Sequence, residues 1–308
     1  MSTTVTRRSG ASRRNWDKEG RRLGRWLTVL PALVLALVIF APLVYSLVLS
    51  LYKWQLTQIN TGKTWVGLDN YVKLFTDPKV LNALGNTIVY VVGSVGVELV
   101  VGFVIASALF EITKGRKLAN SLILLPMIIA PVITALLWRY MFDPQFGLIS
   151  RVLALFGHQG GIDFLGNAQL ALPSLILVDI WQWTPFVILI LHAGMLGISE
   201  EQFEAARIDG AGRARISWSI VLPAIMPQIL LVLLFRTMDT YRIFDTVYVL
   251  TRGGPGGATE TIGLYTYQTG FSFFDMGYAM TLSVFILVTV AIISSIYLRL
   301  LRRRRVFS

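Results

Sequence analysis

Scanned for Asp, Glu, Lys and Arg alone, the chain falls into long uncharged runs. Trp26–Tyr52 is 27 residues, Leu118–Trp138 is 21, Ile216–Phe235 is 20 and Met276–Leu298 is 23. Two further runs are each interrupted by one acid. Glu98 separates Leu81–Val97 from Leu99–Phe110, and Asp179 separates Phe164–Val178 from Ile180–Ser199. A helix rises about 1.5 Å per residue and needs roughly 20 residues to cross the hydrocarbon layer. The pattern therefore predicts six spanning helices, near 27–51, 84–110, 118–141, 168–194, 219–240 and 276–298. Only helices and closed barrels satisfy their backbone in lipid, and these runs lack the period-2 alternation of barrel strands. The first run is too long for a signal-peptide core and reads as a permanent helix. Residues 1–20 read as disordered, with a surface helix open between Trp16 and Trp26. Segments 52–83, 142–167 and 241–275 read as external connections, the last rich in turn signals at Gly253-Gly254-Pro255-Gly256-Gly257.

Composition agrees. Of 308 residues, 55% are apolar and only 15% charged, with a mean hydropathy of +0.64, too oily for a soluble domain. The absence of Cys excludes disulfides, thiolate metal sites and cysteine nucleophiles. His158 and His192 lie far apart without ligand spacing, and no P-loop is present. The net charge of +11 is not a nucleic-acid footprint, because no basic domain with interleaved aromatics exists. With both termini placed in the cytoplasm, 19 of the 28 Lys and Arg fall on the cytoplasmic side. That side then carries +12 and the remainder −1, as the positive-inside rule requires. The organisation is a basic tail at 1–25, a membrane domain at 26–301 and a basic tail at 302–308, both tails serving as anchors near anionic lipid.

One cytoplasmic connection carries more information. Ser199 precedes Glu200, Glu201 and Gln202, which is sound helix-start chemistry. Phe203, Ala205, Ala206 and Ile208 form an apolar side, and Glu201, Glu204 and Arg207 a charged one. Gly210 and Gly212 permit a tight turn. Pro223 and Pro227 predict a bent entry into the next span. From physics alone, this is either a docking helix at about 199–212 or an ordinary connector.

Its spacing resembles a known motif. Glu204-Ala205-Ala206, three residues, Gly210, nine residues, then Ile220-Val221-Leu222-Pro223 is similar to the EAA motif of ABC-transporter permeases. The 178–186, 244–255 and 66–71 segments resemble the sugar-importing permeases of the maltose and glycerol-phosphate type, first-subunit branch. The resemblance implies an all-helical type I importer fold working as a heterodimer with a second permease. It further implies two cytoplasmic ATPase subunits that bind ATP and Mg, an extracytoplasmic binding protein and a sugar, polyol or glycerol phosphate as cargo. The chain itself would hold no cofactor and no metal, and would perform no covalent chemistry. On this reading Glu204, Ala205, Ala206, Asp209, Gly210, Leu222 and Pro223 couple to the ATPase.

The remaining candidates are less specific. Acids inside spans are costly and face interiors or water, so Asp179 is equally a path residue or a structural hydrogen-bonding group, and Glu98 reads as structural. Trp181, Trp183, Phe186, Tyr241 and Tyr248 offer ring faces that sugars stack on, although such residues also fill cores and interfacial belts. Asp239 and Asp245 add polar groups nearby, and Arg236 and Arg242 either snorkel outward or pair with Asp239. Gly253, Gly254 and Pro255 form a turn that either meets the binding protein or merely returns the chain. The rival class is an ion-coupled secondary transporter, which needs functional acids at the midplane, and Glu98 and Asp179 support it only in part.

Overall fold

The computed structural model describes residues 11–57, 62–112, 115–157 and 161–305. His158 lies outside these residues. The chain is helical almost throughout. In order, α1 is Ala11–Leu49, α2 Asp69–Thr76, α3 Pro78–Glu111, α4 Arg116–Ile128, α5 Pro131–Met141, α6 Leu148–Leu155 and α7 Ala168–Met195. Then follow α8 Glu200–Ile208, α9 Arg213–Ile216, a π-helical turn Ser217–Val221, α10 Leu222–Ala224 and α11 Met226–Tyr241. Helices α12 Asp245–Leu250 and α13 Ile262–Tyr267, a second π-helical turn Gln268–Ser272, and α14 Met276–Arg305 complete the chain. A two-residue antiparallel pair, β1 Tyr52–Lys53 with β2 Thr64–Trp65, closes the first external connection.

Four helices are long and apolar enough to cross a membrane without a break: Leu27–Leu49, Pro78–Glu111, Ala168–Met195 and Met276–Arg302. The other two predicted spans are bent pairs; the bend in the fifth was expected, while the break in the third corrects a span read from length as one helix. Residues 121–128 and 131–141 meet at 97°. Pro131 stands at the start of α5, and the residue before a proline is driven out of the α region; Ala130 is extended at φ −59°, ψ 138°. Residues 213–224 and 226–241 meet at 68° around Ile225, where Pro223 and Pro227 predicted a bend. Two boundaries also move. Helix α1 begins at Ala11, so residues 11–20 are not the disordered tail expected, and α14 continues through Arg305, into the segment read as a tail.

The centre is the α3–α7 pair. Glycines let the two backbones close in, the usual device where apolar packing against lipid gives no driving force. A Cβ on Gly93 would come 3.0 Å from Ile176 Cδ1, and one on Gly102 2.6 Å from Val187 Cγ1. An outer core joins Tyr90, Trp138, Leu175, Val178, Val247 and Leu264. An inner core joins Leu109, Val187, Leu191, Met195, Phe203 and Val232. A third, under the external connections, joins Leu74, Val80, Tyr241, Ile262, Tyr265 and Tyr278. Leu27–Leu49 is almost bare within the chain, so its apolar surface is left for lipid or another subunit.

Candidate functional site: a coupling helix, a buried ion cluster and a tethered external loop

The cytoplasmic connection folds as its residues dictate. Ser199 adopts extended backbone before α8, although its side chain makes no capping bond. At the other end, Gly210 N–H donates to Arg207 C=O at 3.1 Å and Ala211 N–H to Ala206 C=O at 2.9 Å. This crossed pair is the Schellman closure, which needs a left-handed residue, and Gly210 supplies φ +72°. The apolar and charged sides differ from the sequence reading. Phe203 turns inward onto Phe110, ring centres 5.5 Å apart, and a cavity of about 650 Å³ beside it is lined by Glu200, Phe203 and Arg207 together with Phe110 and Glu111. Ile208, assigned with Phe203 to one apolar side, is instead 86% exposed. The reason is periodic: Glu200, Phe203 and Arg207 share one face at i, i+3, i+7, which turns Ala205 and Ile208 away from it and leaves Glu204 at its edge. Glu204, Ala205, Asp209 and Gly210 are exposed and Ala206 is half-buried. Leu222 and Pro223 lie in α10, just before the bend, Leu222 half-buried and Pro223 exposed.

The two intramembrane acids meet a base. Arg236 on α11 is 2% exposed and Glu98 on α3 fully buried. The guanidinium donates from Nε to Glu98 Oε2 at 2.7 Å and from Nη2 to Glu98 Oε1 at 2.8 Å. Nη2 also donates to Asp179 Oδ2 on α7 at 2.7 Å, and Nη1 to Asp239 Oδ2 at 3.1 Å. The Trp183 ring centre lies 5.0 Å from the guanidinium carbon. Three helices are thus tied by one planar fork, the geometry that arginine offers and lysine does not. Arg236 does not snorkel outward: with three carboxylates around it, the interior is where its charge is best compensated. Asp179 spends one oxygen on this bond. Removing one partner from such a cluster strands a buried charge and costs about 3–5 kcal/mol. The signal was present in the sequence, because two lone acids and the Arg that ends the fifth run must find opposite charge inside the bundle. Which of them pair is not a sequence property.

The aromatic candidates separate. Trp183 and Phe186 meet edge to face at 6.5 Å, and Phe186 meets Phe235 at 6.4 Å. Trp181 is 39% exposed and stands edge-on to Trp138 at 5.8 Å. Tyr241 is buried in the core beneath the external connections. Tyr248 stacks on Phe244 at 5.3 Å and meets Tyr267 at 5.5 Å, while Asp245 is exposed at the start of α12. Arg242 is exposed and reaches Asp239 at 3.5 Å.

The glycine-rich external turn is held firmly. Gly253 is buried at φ +89°, and Gly254–Pro255 is a cis peptide. Thr259 Oγ1 donates to Gly254 C=O at 2.7 Å. From α3, Asn82 and Asn86 both donate to Gly257 C=O, at 3.0 and 2.9 Å, and Asn86 also to Glu260 C=O at 3.1 Å. Ile262 N–H donates to Thr87 Oγ1. Below this, Tyr265 and Tyr278 both donate to Asp77 Oδ2, at 2.8 and 3.0 Å. Burial by itself would raise the Asp77 pKa, but these hydroxyls, the Lys79 amide and the Lys73 charge outweigh it and hold the carboxyl below its ordinary value. Asn82, Asn86 and Asp77 were invisible to sequence reasoning, since each acts across some 170–200 residues of chain.

Residues 98–306 match the family described as binding-protein-dependent transport system inner membrane component. The chain belongs to that family. It is therefore a multi-pass permease subunit of the cytoplasmic membrane. The trehalose/maltose transport system permease protein MalF of Thermococcus litoralis is 34% identical over 91% of this chain and 94% of its own. The sn-glycerol-3-phosphate transport system permease protein UgpA of Yersinia pestis is 30% identical over 91% and 94%. Among solved structures, a chain of a bacterial ABC transporter importing the acidic polysaccharide alginate superposes with a TM-score of 0.79. It is 24% identical, with 94% of this chain and 99% of that one covered. The likeness supports the type I importer fold. Among the described residues, no group of His, Asp and Glu is arranged to hold a metal ion.

Proposed function

We propose that this permease is one of two membrane halves of an importer for a carbohydrate, polyol or glycerol phosphate. Two separate ATPase subunits would bind ATP and Mg, and an extracytoplasmic binding protein would deliver the cargo. The observation that carries the reading is α8: exposed Glu204 and Ala205 beside a half-buried Ala206, on a helix closed by Gly210 and anchored inward by Phe203. Small side chains let a partner approach closely, and Ile208 offers it an apolar knob. Closure of the ATPases would draw α8 with it. Phe203 passes that push to Phe110 on α3, and the chain itself passes it through the Ile225 bend to α11. Trp181, Trp183, Phe186, Asp239, Asp245 and Tyr248 are the residues proposed to meet cargo, with Asp179 and Tyr241 acting from behind that surface. Gly253, Gly254 and Pro255 would present a rigid edge to the binding protein. An ion-coupled mechanism loses its support, because Glu98 and Asp179 are both engaged by Arg236.

The test is purification of the chain from its native membrane in mild detergent, with mass spectrometry of what accompanies it. The expected result is one ATPase, one other six-span permease and a binding protein. Repeated recovery of this chain alone, under conditions that preserve known complexes, would overturn the proposal.

A further inference from the structure

Arg236 is the bulkiest of the fully buried side chains among the described residues, and stability does not explain why it is charged. Buried ion clusters are often no more stable than apolar side chains of similar volume. The cluster supplies direction instead. Glu98 takes both donors of one edge of the fork from α3, and Asp179 takes a third contact from α7. Asp239, one turn along the same helix, turns the fork to face them. Apolar contacts would allow α11 to slide or rotate against its neighbours. A planar fork held at 2.7–2.8 Å on two other helices does not.

The position matters as much as the bonds. Asp179 is 11 residues from the outer start of α7, about 16 Å at 1.5 Å per residue. The cluster lies between the outer and inner apolar cores, and Trp183 covers its guanidinium face. Helix α11 starts at the 68° bend, directly downstream of the coupling connection. A bend is compliant, so a push delivered below it is lost unless the segment above is held to something stiff. We propose that the Arg236 fork is a positioning latch, joining α11 above the bend to α3 and α7 as one body, so that movement of α8 displaces the proposed cargo-facing segments together. This rests on the importer reading above.

The chain has no Cys, so spin labels can be placed without removing native thiols. Val100 on α3 and Phe235 on α11 are both exposed and flank the cluster. The labelled pair Val100→Cys and Phe235→Cys is measured by pulsed electron resonance in the assembled transporter in nanodiscs, first without nucleotide and then with MgATP and vanadate. ATPase stimulation by the binding protein is read in parallel. The fork intact, the label distance is expected to stay the same in both states. The apolar triple Glu98→Leu, Asp179→Leu, Arg236→Met is expected to assemble and melt like wild type. Its label distance should change with nucleotide by more than about 2 Å, the scale of helix shifts in switching proteins, and its stimulation should drop at least tenfold. Arg236→Lys keeps the charge but not the fork and is expected to behave alike. A triple variant that assembles, holds the distance and keeps its stimulation overturns the latch and leaves the cluster a packing feature. Should the triple fail to assemble, Arg236→Lys decides by the same two readouts. If the unsubstituted transporter shows no response to binding protein or nucleotide, the importer reading fails instead.

Discussion

Replacing Gly210 separates coupling from folding, because the position is demanding in conformation and undemanding in space. Its φ is +72°, and beyond the adjoining residues no atom lies within 4 Å of where a Cβ would sit. Gly210→Ala and Gly210→Val therefore create no clash. They pay only for the left-handed backbone, about 1–2 kcal/mol per L-residue and more for the β-branched one. An equilibrium shifted by that amount changes roughly 5–30-fold. What is lost is the closure in which Gly210 and Ala211 satisfy the carbonyls of Arg207 and Ala206, and with it the angle at which Glu204 and Ile208 face a partner. Membrane insertion draws on the spanning helices and should hold to within about twofold. Import should fall in the order wild type, Ala, Val, reaching a loss on the order of tenfold for Val. Uptake of the binding protein's ligand into cells, normalised to the amount of chain in the membrane by immunoblot, makes the comparison. Equal loss of membrane protein and of uptake would refute the coupling role, as would full uptake by Gly210→Val.

Gly102→Ala is the converse case, since its Cβ would meet Val187 Cγ1 at 2.6 Å; it should cost about 1–3 kcal/mol of packing and lower the melting temperature in detergent. Phe203→Ala removes the ring that anchors α8 on Phe110 and should cost about 3–5 kcal/mol locally, seen as faster amide exchange over 200–208 while the spans stay protected. Asn86→Ala deletes bonds to Gly257 and Glu260, about 1 kcal/mol each, and should expose the 253–260 turn to external protease. Asp77 has a folded pKa below its ordinary 3.8, so its contribution is complete above that value and lost as pH falls through the folded one. The external connections of wild type should therefore loosen on acidification below about pH 4, and Asp77→Asn should be looser at neutral pH and flat across that range.

The membrane class, the apolar runs that become four to six spans and the short helix Glu200–Ile208 were legible in the linear chain. Each rests on something local: run length against bilayer thickness, Lys and Arg placement, and a Glu-Ala-Ala to Gly spacing that sets one helix and its stop. The bend at Ile225 was legible too, because Pro223 and Pro227 act on their own backbone. The 97° break at Ile129–Ala130 was equally local, through Pro131, but a 21-residue apolar run masks a break when length alone is counted. Which face of α8 turns inward was not legible. Phe203 and Ile208 are both apolar, and only the presence of Phe110 on another helix decides between them. The same holds for the charges. Hydrocarbon forces Glu98, Asp179 and Arg236 to find partners, and that much follows from their isolation in apolar runs. That one fork serves all three helices, and that Asn82, Asn86 and Asp77 tie the external turn to the start of α3, depend on contacts between distant segments. Local propensity carries no information about those contacts, so the folded bundle alone determined them.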